Sequence, residues 1–495
     1  MLWTSIAGIG AGFGILLLND ADSYLPNGNP GGNVVIATGL FLVVALLLAY
    51  IYYMIIPAVG RTGGDYVWMS RNIGPVISSC LIFGFVFPGL PFIAISLNWM
   101  FTLSLAPSIS TIAVVTGNTG LTSTAAFLMT PNFLAAISLV IMIILTVLNV
   151  MSPRRSYWLL AVMTAIAMVG TVMMALVFAA VGPGGIQASV GNLLQQNNAT
   201  YAGIASQYTG PGISLPAIAL LFPYVAFTLP FMNCTANLSG ELKNIRRSAL
   251  TGTVLAVLVS GGLLMFFLQM YYNYLGFNFA SQAPMSWPSS LVDAGVYPNM
   301  LTIATIAAGN STGVIWIMNI FVALWYLAGA QLSFLNNSRY MLAMSFDGIL
   351  PHKLADVSDR FHTPILSILI IFIVCIPLIM FVSFTSWLSL FSTNCECTIW
   401  FAFIGITAII YGWKNKANLK NASAWLIASG LIVMVFFIYV TYQYLGLPYY
   451  GINTPTWVLI LGVWILGAVA YPIAKAYYGR KGMDIGLVFK ELPPE

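Results

Sequence analysis

Apolar runs of about twenty residues, separated by polar connectors, recur along the whole chain. A helix needs roughly 20 apolar residues to cross about 30 Å of hydrocarbon. Inside hydrocarbon the backbone must satisfy its own hydrogen bonds, so runs of this length are read as helices. Scanning at that length yields twelve segments: 2–18, 34–57, 76–106, 133–151, 156–181, 214–236, 248–275, 313–337, 364–383, 386–412, 423–445 and 456–474. Only 6% of the 495 residues are charged and 60% are hydrophobic, whereas a soluble domain carries about 25% charged residues. The chain is therefore expected to be an all-α integral membrane protein with the lipid bilayer as its solvent.

Charge placement tests that count. With the N-terminus inside, the inner connectors carry Arg61 and Arg71; Arg154 and Arg155; Lys243, Arg246 and Arg247; Arg339, Lys353 and Arg360; Lys414, Lys416 and Lys420. The tail adds Lys475, Arg480, Lys481 and Lys490, which completes all 17 basic residues of the chain. The outer connectors hold none. The positive-inside rule then places both termini in the cytoplasm of a multi-pass cell-membrane protein. A net charge of +5 scattered over this length is no nucleic-acid footprint, so no nucleic-acid partner is expected.

No basic residue precedes Leu2, so segment 2–18 is read as a first span rather than a signal peptide. The outer connectors 19–33, 107–132, 182–213 and 276–312 are rich in Gly, Asn, Ser and Thr and are read as loops. They include the sequons Asn198-Ala199-Thr200 and Asn310-Ser311-Thr312. All five cysteines lie in apolar stretches, and Cys395-Glu396-Cys397 lacks the paired spacing of a zinc site. No metal or cofactor is expected.

Two spans carry helix breakers. Span 1 reads SIAGIGAGFGILLL, with Gly8, Gly10, Gly12 and Gly14; span 6 reads ALLFPYVAFTLPFMN, with Pro223 and Pro230. Five spans separate one from the other. Interruptions at matching positions of two halves point to a transporter site near the bilayer midplane. Half-helix N-termini would offer N–H groups to a carboxylate, and unwound carbonyls would face an ammonium. A zwitterion makes both demands. The other reading stays open: the glycines are a close helix–helix contact and the prolines simple kinks.

Three connectors resemble those of the amino acid–polyamine–organocation (APC) superfamily of secondary transporters. GRTGGDYVWMSRNIGP (60–75) is similar to its Gly-Gly-x-Tyr…Gly-Pro loop, and GELKNIRRSAL (240–250) to its Gly-Glu-x-x-Asn-Pro-x-Arg segment. SRYMLAMSFDGILPHKL (338–354), followed by Thr363-Pro364, is similar to its Ser-Arg…Asp-Gly-x-x-Pro…Thr-Pro signature. GAGFG in span 1 resembles the family's Gly-Ser-Gly-[Ile/Val]-Phe. The resemblance covers spans 1–10. It implies a LeuT-type fold of two inverted five-helix repeats plus two peripheral helices. These would divide the chain into 1–181, 182–412, and 413–495 with the cytoplasmic tail.

The resemblance further implies movement of an amino acid driven by H⁺ or Na⁺ or by exchange. Substrate backbone groups would lie against Gly10, Ala11, Gly12 and Phe13 of span 1, and against Phe227, Thr228, Leu229, Pro230, Phe231 and Asn233 of span 6. Family members often have glycine near Pro230 and Phe231, many have an acid where Asn233 stands, and Ile245 replaces the usual proline.

Charges at membrane depth are functional candidates by default. Glu396 lies about ten residues into span 10 and is a candidate for coupling or for pairing with a cationic substrate; Ser333 and Asp20 are further ion candidates. Asp65, Glu241, Arg339 and Asp347, in the signature connectors, are candidate inner-gate ion pairs. His352 and His362 both lie between spans 8 and 9, so no span holds a histidine relay. The sequence reading is a permease for a neutral amino acid. A carrier of cationic amino acids or polyamines using Glu396, and a sensor that binds without transport, are its rivals. H-E-x-x-H does not occur and no span holds a histidine; G-x-S-x-G matches once, at Gly309–Gly313 in an outer connector, and an enzyme is not expected.

Overall fold

A computed structural model describes residues 1–18, 29–309, 311–385, 394–447, 450 and 454–490. Among these residues every regular element is helical. The first part of the chain forms α1 (Leu2–Leu18), α2 (Val34–Ile55), α3 (Gly64–Asn72), α4 (Pro75–Trp99), α5 (Ala106–Thr116), α6 (Thr119–Leu128), α7 (Pro131–Met151), α8 (Pro153–Gln196) and α9 (Tyr201–Ser206). A broken segment follows: α10 (Leu215–Ala219), α11 (Phe222–Val225), a 3₁₀ turn at Leu229–Asn233 and α12 (Cys234–Asn237). Then come α13 (Ile245–Leu250), α14 (Ala256–Leu275), α15 (Phe277–Ser286), α16 (Ser289–Asp293), α17 (Met300–Ala308), α18 (Thr312–Phe346), α19 (Ile365–Phe384), α20 (Asn394–Lys414), α21 (Lys416–Leu419), α22 (Asn421–Gly446) and α23 (Thr454–Gly479).

Ten of these helical stretches are long and apolar enough to cross a membrane; the bent pair Leu215–Val225 and Leu229–Asn237 makes an eleventh. α1, with 17 residues, sits at the short end of the crossing range. The long helix α18 packs against α1, α4 and α8. α20 and α22 approach so closely that a side chain on Gly405 would meet Gly430 O at 2.6 Å, the close contact small residues permit between membrane helices.

Span 6 breaks where the sequence predicts: its two halves meet at 41°, around Pro230, which has no N–H to give the preceding turn. Span 1 corrects the other half of that expectation. α1 runs as one helix through Gly8, Gly10, Ala11, Gly12, Phe13 and Gly14. A glycine weakens a helix but keeps its N–H, and here the absent side chains serve packing. Gly10 lies against the Trp325 ring, and a side chain on Gly14 would meet Tyr326 at 3.1 Å.

The outer connectors are also corrected. α5, α6, α9, α15, α16, α17 and the end of α8, beyond a kink at Gly182, make much of them helical. Polar residues read as loop formers act as N-caps. Asn118 accepts from Gly120 N, Thr200 from Gly203 N and Asn299 from Thr302 N. Asp20 and Asn310 lie outside the described residues.

Candidate functional site

The break in span 6 opens onto a cavity of about 90 Å³. Its walls are Gly8 of α1, Phe85, Pro88, Gly89 and Phe92 of α4, and Phe227, Phe231 and Asn233 of the broken segment. Gly329, Leu332, Ser333, Asn336 and Asn337 of α18, with Asn394 and Cys397 of α20, complete it. Among the described residues the lining holds no Lys, Arg, His, Asp or Glu. Apolar walls with a few converging polar groups are the usual make-up of a small-molecule site.

Of the expected substrate contacts, Phe227, Phe231 and Asn233 line this cavity, and so does Ser333, the ion candidate of span 8. Thr228 turns its hydroxyl back onto Val225 O at 2.7 Å, and Leu229 and Pro230 are buried in the bend. In α1 it is Gly8, not Gly10, that reaches the cavity. A side chain on Gly8 would fall on the Phe231 carbonyl and within 3.0 Å of Leu332.

Asn394 is 2% exposed. Its Nδ2 donates to Tyr444 Oη at 2.6 Å, and that hydroxyl donates to Pro223 O at 2.5 Å. The chain of donors fixes the amide with Oδ1 as its remaining group, and Oδ1 has no partner among the described residues. A buried acceptor left unpaired costs free energy until something donates to it. A solute ammonium in the cavity would do so.

The expected gate residues separate into three clusters at the end of the bundle that carries the loop arginines. Arg71, not among the expected gate residues, binds Asp347 bidentately at 2.6 and 2.7 Å, with the Tyr66 hydroxyl adding a third donor at 2.8 Å. Arg339 Nε donates to Glu241 at 3.1 Å, while the Tyr157 hydroxyl donates to the other Glu241 oxygen at 2.8 Å. Asp65 joins neither pair.

The Gly-Gly dipeptide ahead of Asp65 explains its position. Gly63 adopts φ +83°, which favours glycine, and a side chain on Gly64 would fall on the Ala236 backbone. Asp65 is thereby pressed against the broken segment and is fully buried. It accepts from Tyr52 Oη (2.8 Å), Tyr340 Oη (2.8 Å), Trp400 Nε1 (3.1 Å), Tyr66 N (3.2 Å) and Asn233 Nδ2 (3.5 Å). Burial pushes its carboxyl above the ordinary aspartate value, and the hydrogen bonds from Tyr340, Tyr52, Trp400 and Asn233 pull it partly back.

Residues 1–468 match the sequence profile of amino acid permeases. The chain belongs to the amino acid permease family. It is a multi-pass membrane protein of a transporter family, with an amino acid as the family's substrate and a lipid environment. No curated protein matches the permease by sequence.

Glu396 of the permease is 3% exposed but does not line the cavity. Both carboxyl oxygens accept from the Trp464 indole N–H, at 3.2 and 2.9 Å, and one lies against Gly84. It sits among α4, α20 and α23, while its neighbours Asn394 and Cys397 line the cavity. The sequence reading missed Asn394, Asn336 and Asn337 as cavity residues. Their signal was the presence of amides in or beside apolar spans, where an unpaired polar group is costly.

Proposed function

We propose that this permease is a secondary transporter that moves a neutral amino acid across the cell membrane by alternating access, coupled to H⁺ or by exchange. The fold would be the LeuT type with twelve crossings. Residues 1–181 and 182–412 would be the inverted repeats, 413–495 would be peripheral, and both termini would be cytoplasmic. The observation that carries the reading is the cavity at the span 6 break, lined by uncharged residues and holding the unpartnered Asn394 Oδ1. A cationic side chain would find no counter-charge among the described residues there. The ammonium of the substrate would be met by amide and carbonyl oxygens, and the gate pairs Arg71–Asp347 and Arg339–Glu241 would open as the bundle rocks.

Purified protein in liposomes, given each amino acid in turn, tests this. Uptake or exchange of neutral amino acids is the expected result. No flux for any amino acid would overturn the transport reading; a preference for lysine, arginine or polyamines would overturn the neutral one.

A further inference from the structure

We propose that Asp65 is a proton-binding site of this permease, linked to the cavity through Asn233. The proposal rests on the transport reading above and names the group that would carry its proton.

Asp65 is a buried carboxyl with no ion pair to a Lys, Arg or His among the described residues, although Arg71 lies on its own helix. Every element packed around it has been assigned a partner elsewhere or aims a donor at it. α2 brings Tyr52. The broken segment brings Asn233, and the neighbouring Cys234 thiol lies 3.4 Å from the Ser5 hydroxyl. α18 brings Tyr340, while its Arg339 and the adjoining Asp347 are held by Glu241 and Arg71. α20 brings Trp400, with Glu396 one turn away on Trp464. On α3 itself, Tyr66 Oη and Arg71 are committed to Asp347. α4 contributes the apolar ring of Phe85, edge-on to Tyr340 and tilted against Trp400. Tyrosine and thiol groups ordinarily lose protons well above neutral pH, so within this cluster Asp65 is the group that changes charge.

The donors divide into two kinds. Trp400 Nε1, Asn233 Nδ2 and the Tyr66 backbone N–H can only donate, whereas the Tyr52 and Tyr340 hydroxyls can donate or accept. An ionised Asp65 can take them all, since a carboxylate offers about four lone-pair positions and Asn233 is the long contact. A protonated Asp65 must itself donate, and of the atoms that face it here only the Tyr52 and Tyr340 hydroxyl oxygens can accept. The chosen tyrosine then loses the acceptor for its own proton. Proton binding thus reverses one hydroxyl link, to α2 or to α18, and leaves that hydroxyl's own proton without its acceptor; proton loss restores the original direction.

Asn233 ties this switch to the solute. It lines the cavity, and its Nδ2 stands 3.3 Å from Tyr340 Oη as well as 3.5 Å from Asp65. A solute that draws on Asn233 changes the donor set of Asp65. By linkage, protonation of Asp65 changes solute affinity by the same factor. Glu396 has the burial but not this connection.

The test uses the full chain in liposomes with radiolabelled alanine, leucine and phenylalanine as probes. Exchange is measured across a pH series, and accumulation with and without an imposed inward proton gradient. In Asp65→Asn, stimulation by the gradient is expected to be lost and residual exchange to stop varying with pH. Tyr340→Phe keeps the carboxyl but removes a donor from its ionised form, so the midpoint of the pH profile should rise by about one pH unit. That shift decides the matter if Asp65→Asn does not fold. Wild-type accumulation in Asp65→Asn, or an unmoved midpoint in Tyr340→Phe, overturns the proposal. So does a wild-type protein that exchanges amino acids with no response to the gradient. Absence of all exchange in the wild type would instead overturn the transport reading.

Discussion

Asn394 and Tyr444 are joined by a 2.6 Å hydrogen bond that leaves the Asn394 carbonyl oxygen, beside the cavity, without a donor among the described residues. Replacing Asn394 with Ala removes that acceptor. A hydrogen bond to a charged group contributes about 1.5–3 kcal/mol, so apparent substrate affinity should weaken by about tenfold or more. Concentration dependence of uptake measures it; unchanged affinity would remove Asn394 from the site.

Gly8 meets the Phe231 carbonyl across the break, and that atom cannot turn aside as a side-chain tip could. Gly8→Ala should cost about 1–3 kcal/mol through overpacking and lower transport more than expression. Thermal unfolding in detergent, compared with Gly262→Ala, where an added side chain meets nothing within 4 Å, checks the direction.

Arg71 and Asp347 are 8% and 2% exposed in their side chains. Arg71→Ala leaves a buried carboxylate with Tyr66 as its remaining donor from this cluster. Breaking a buried pair in this way costs about 3–5 kcal/mol. A double mutant with Asp347→Asn should recover part of the loss, as a thermal-melt cycle would register.

Trp464 supplies both hydrogen bonds to Glu396. Trp464→Phe should destabilise the protein by about 1–3 kcal/mol, the cost of an unsatisfied buried group. Glu396→Gln should leave the preference between neutral and cationic amino acids unaltered, because the carboxyl does not line the cavity. A competition assay that showed a changed preference would return Glu396 to the substrate site.

The pH dependence of stability follows from Asp65. Its carboxyl is raised in the folded protein, so the folded state binds this proton more tightly than the unfolded chain does. The stability it contributes is fully present below the unfolded value of about 3.9 and is lost as pH rises through the folded value. The wild type should therefore lose melting temperature relative to Asp65→Asn as pH increases. A constant difference across the series would contradict this.

The amino-acid sequence alone determined where the long apolar helices form, because a backbone in hydrocarbon has few other ways to satisfy its hydrogen bonds. It also located the break at Pro230, where a missing N–H is a local property. It marked Glu396 as exceptional, since charge in an apolar stretch is visible without a fold, and Asp65 as a gate candidate through its signature connector. Tertiary structure decided what local chemistry leaves open. The glycines of α1 could unwind a helix or seat a neighbour, and the positions of Trp325 and the Phe231 carbonyl settled it as packing. Outer Asn and Thr residues could form loops or cap helices, and the choice depended on apolar faces with something to pack against. Glu396 turned toward Trp464, distant in the chain. Asp65 found Tyr52, Asn233, Tyr340 and Trp400 on four different segments. Partners chosen across such separations follow from how helices stack, a property no single stretch of sequence contains.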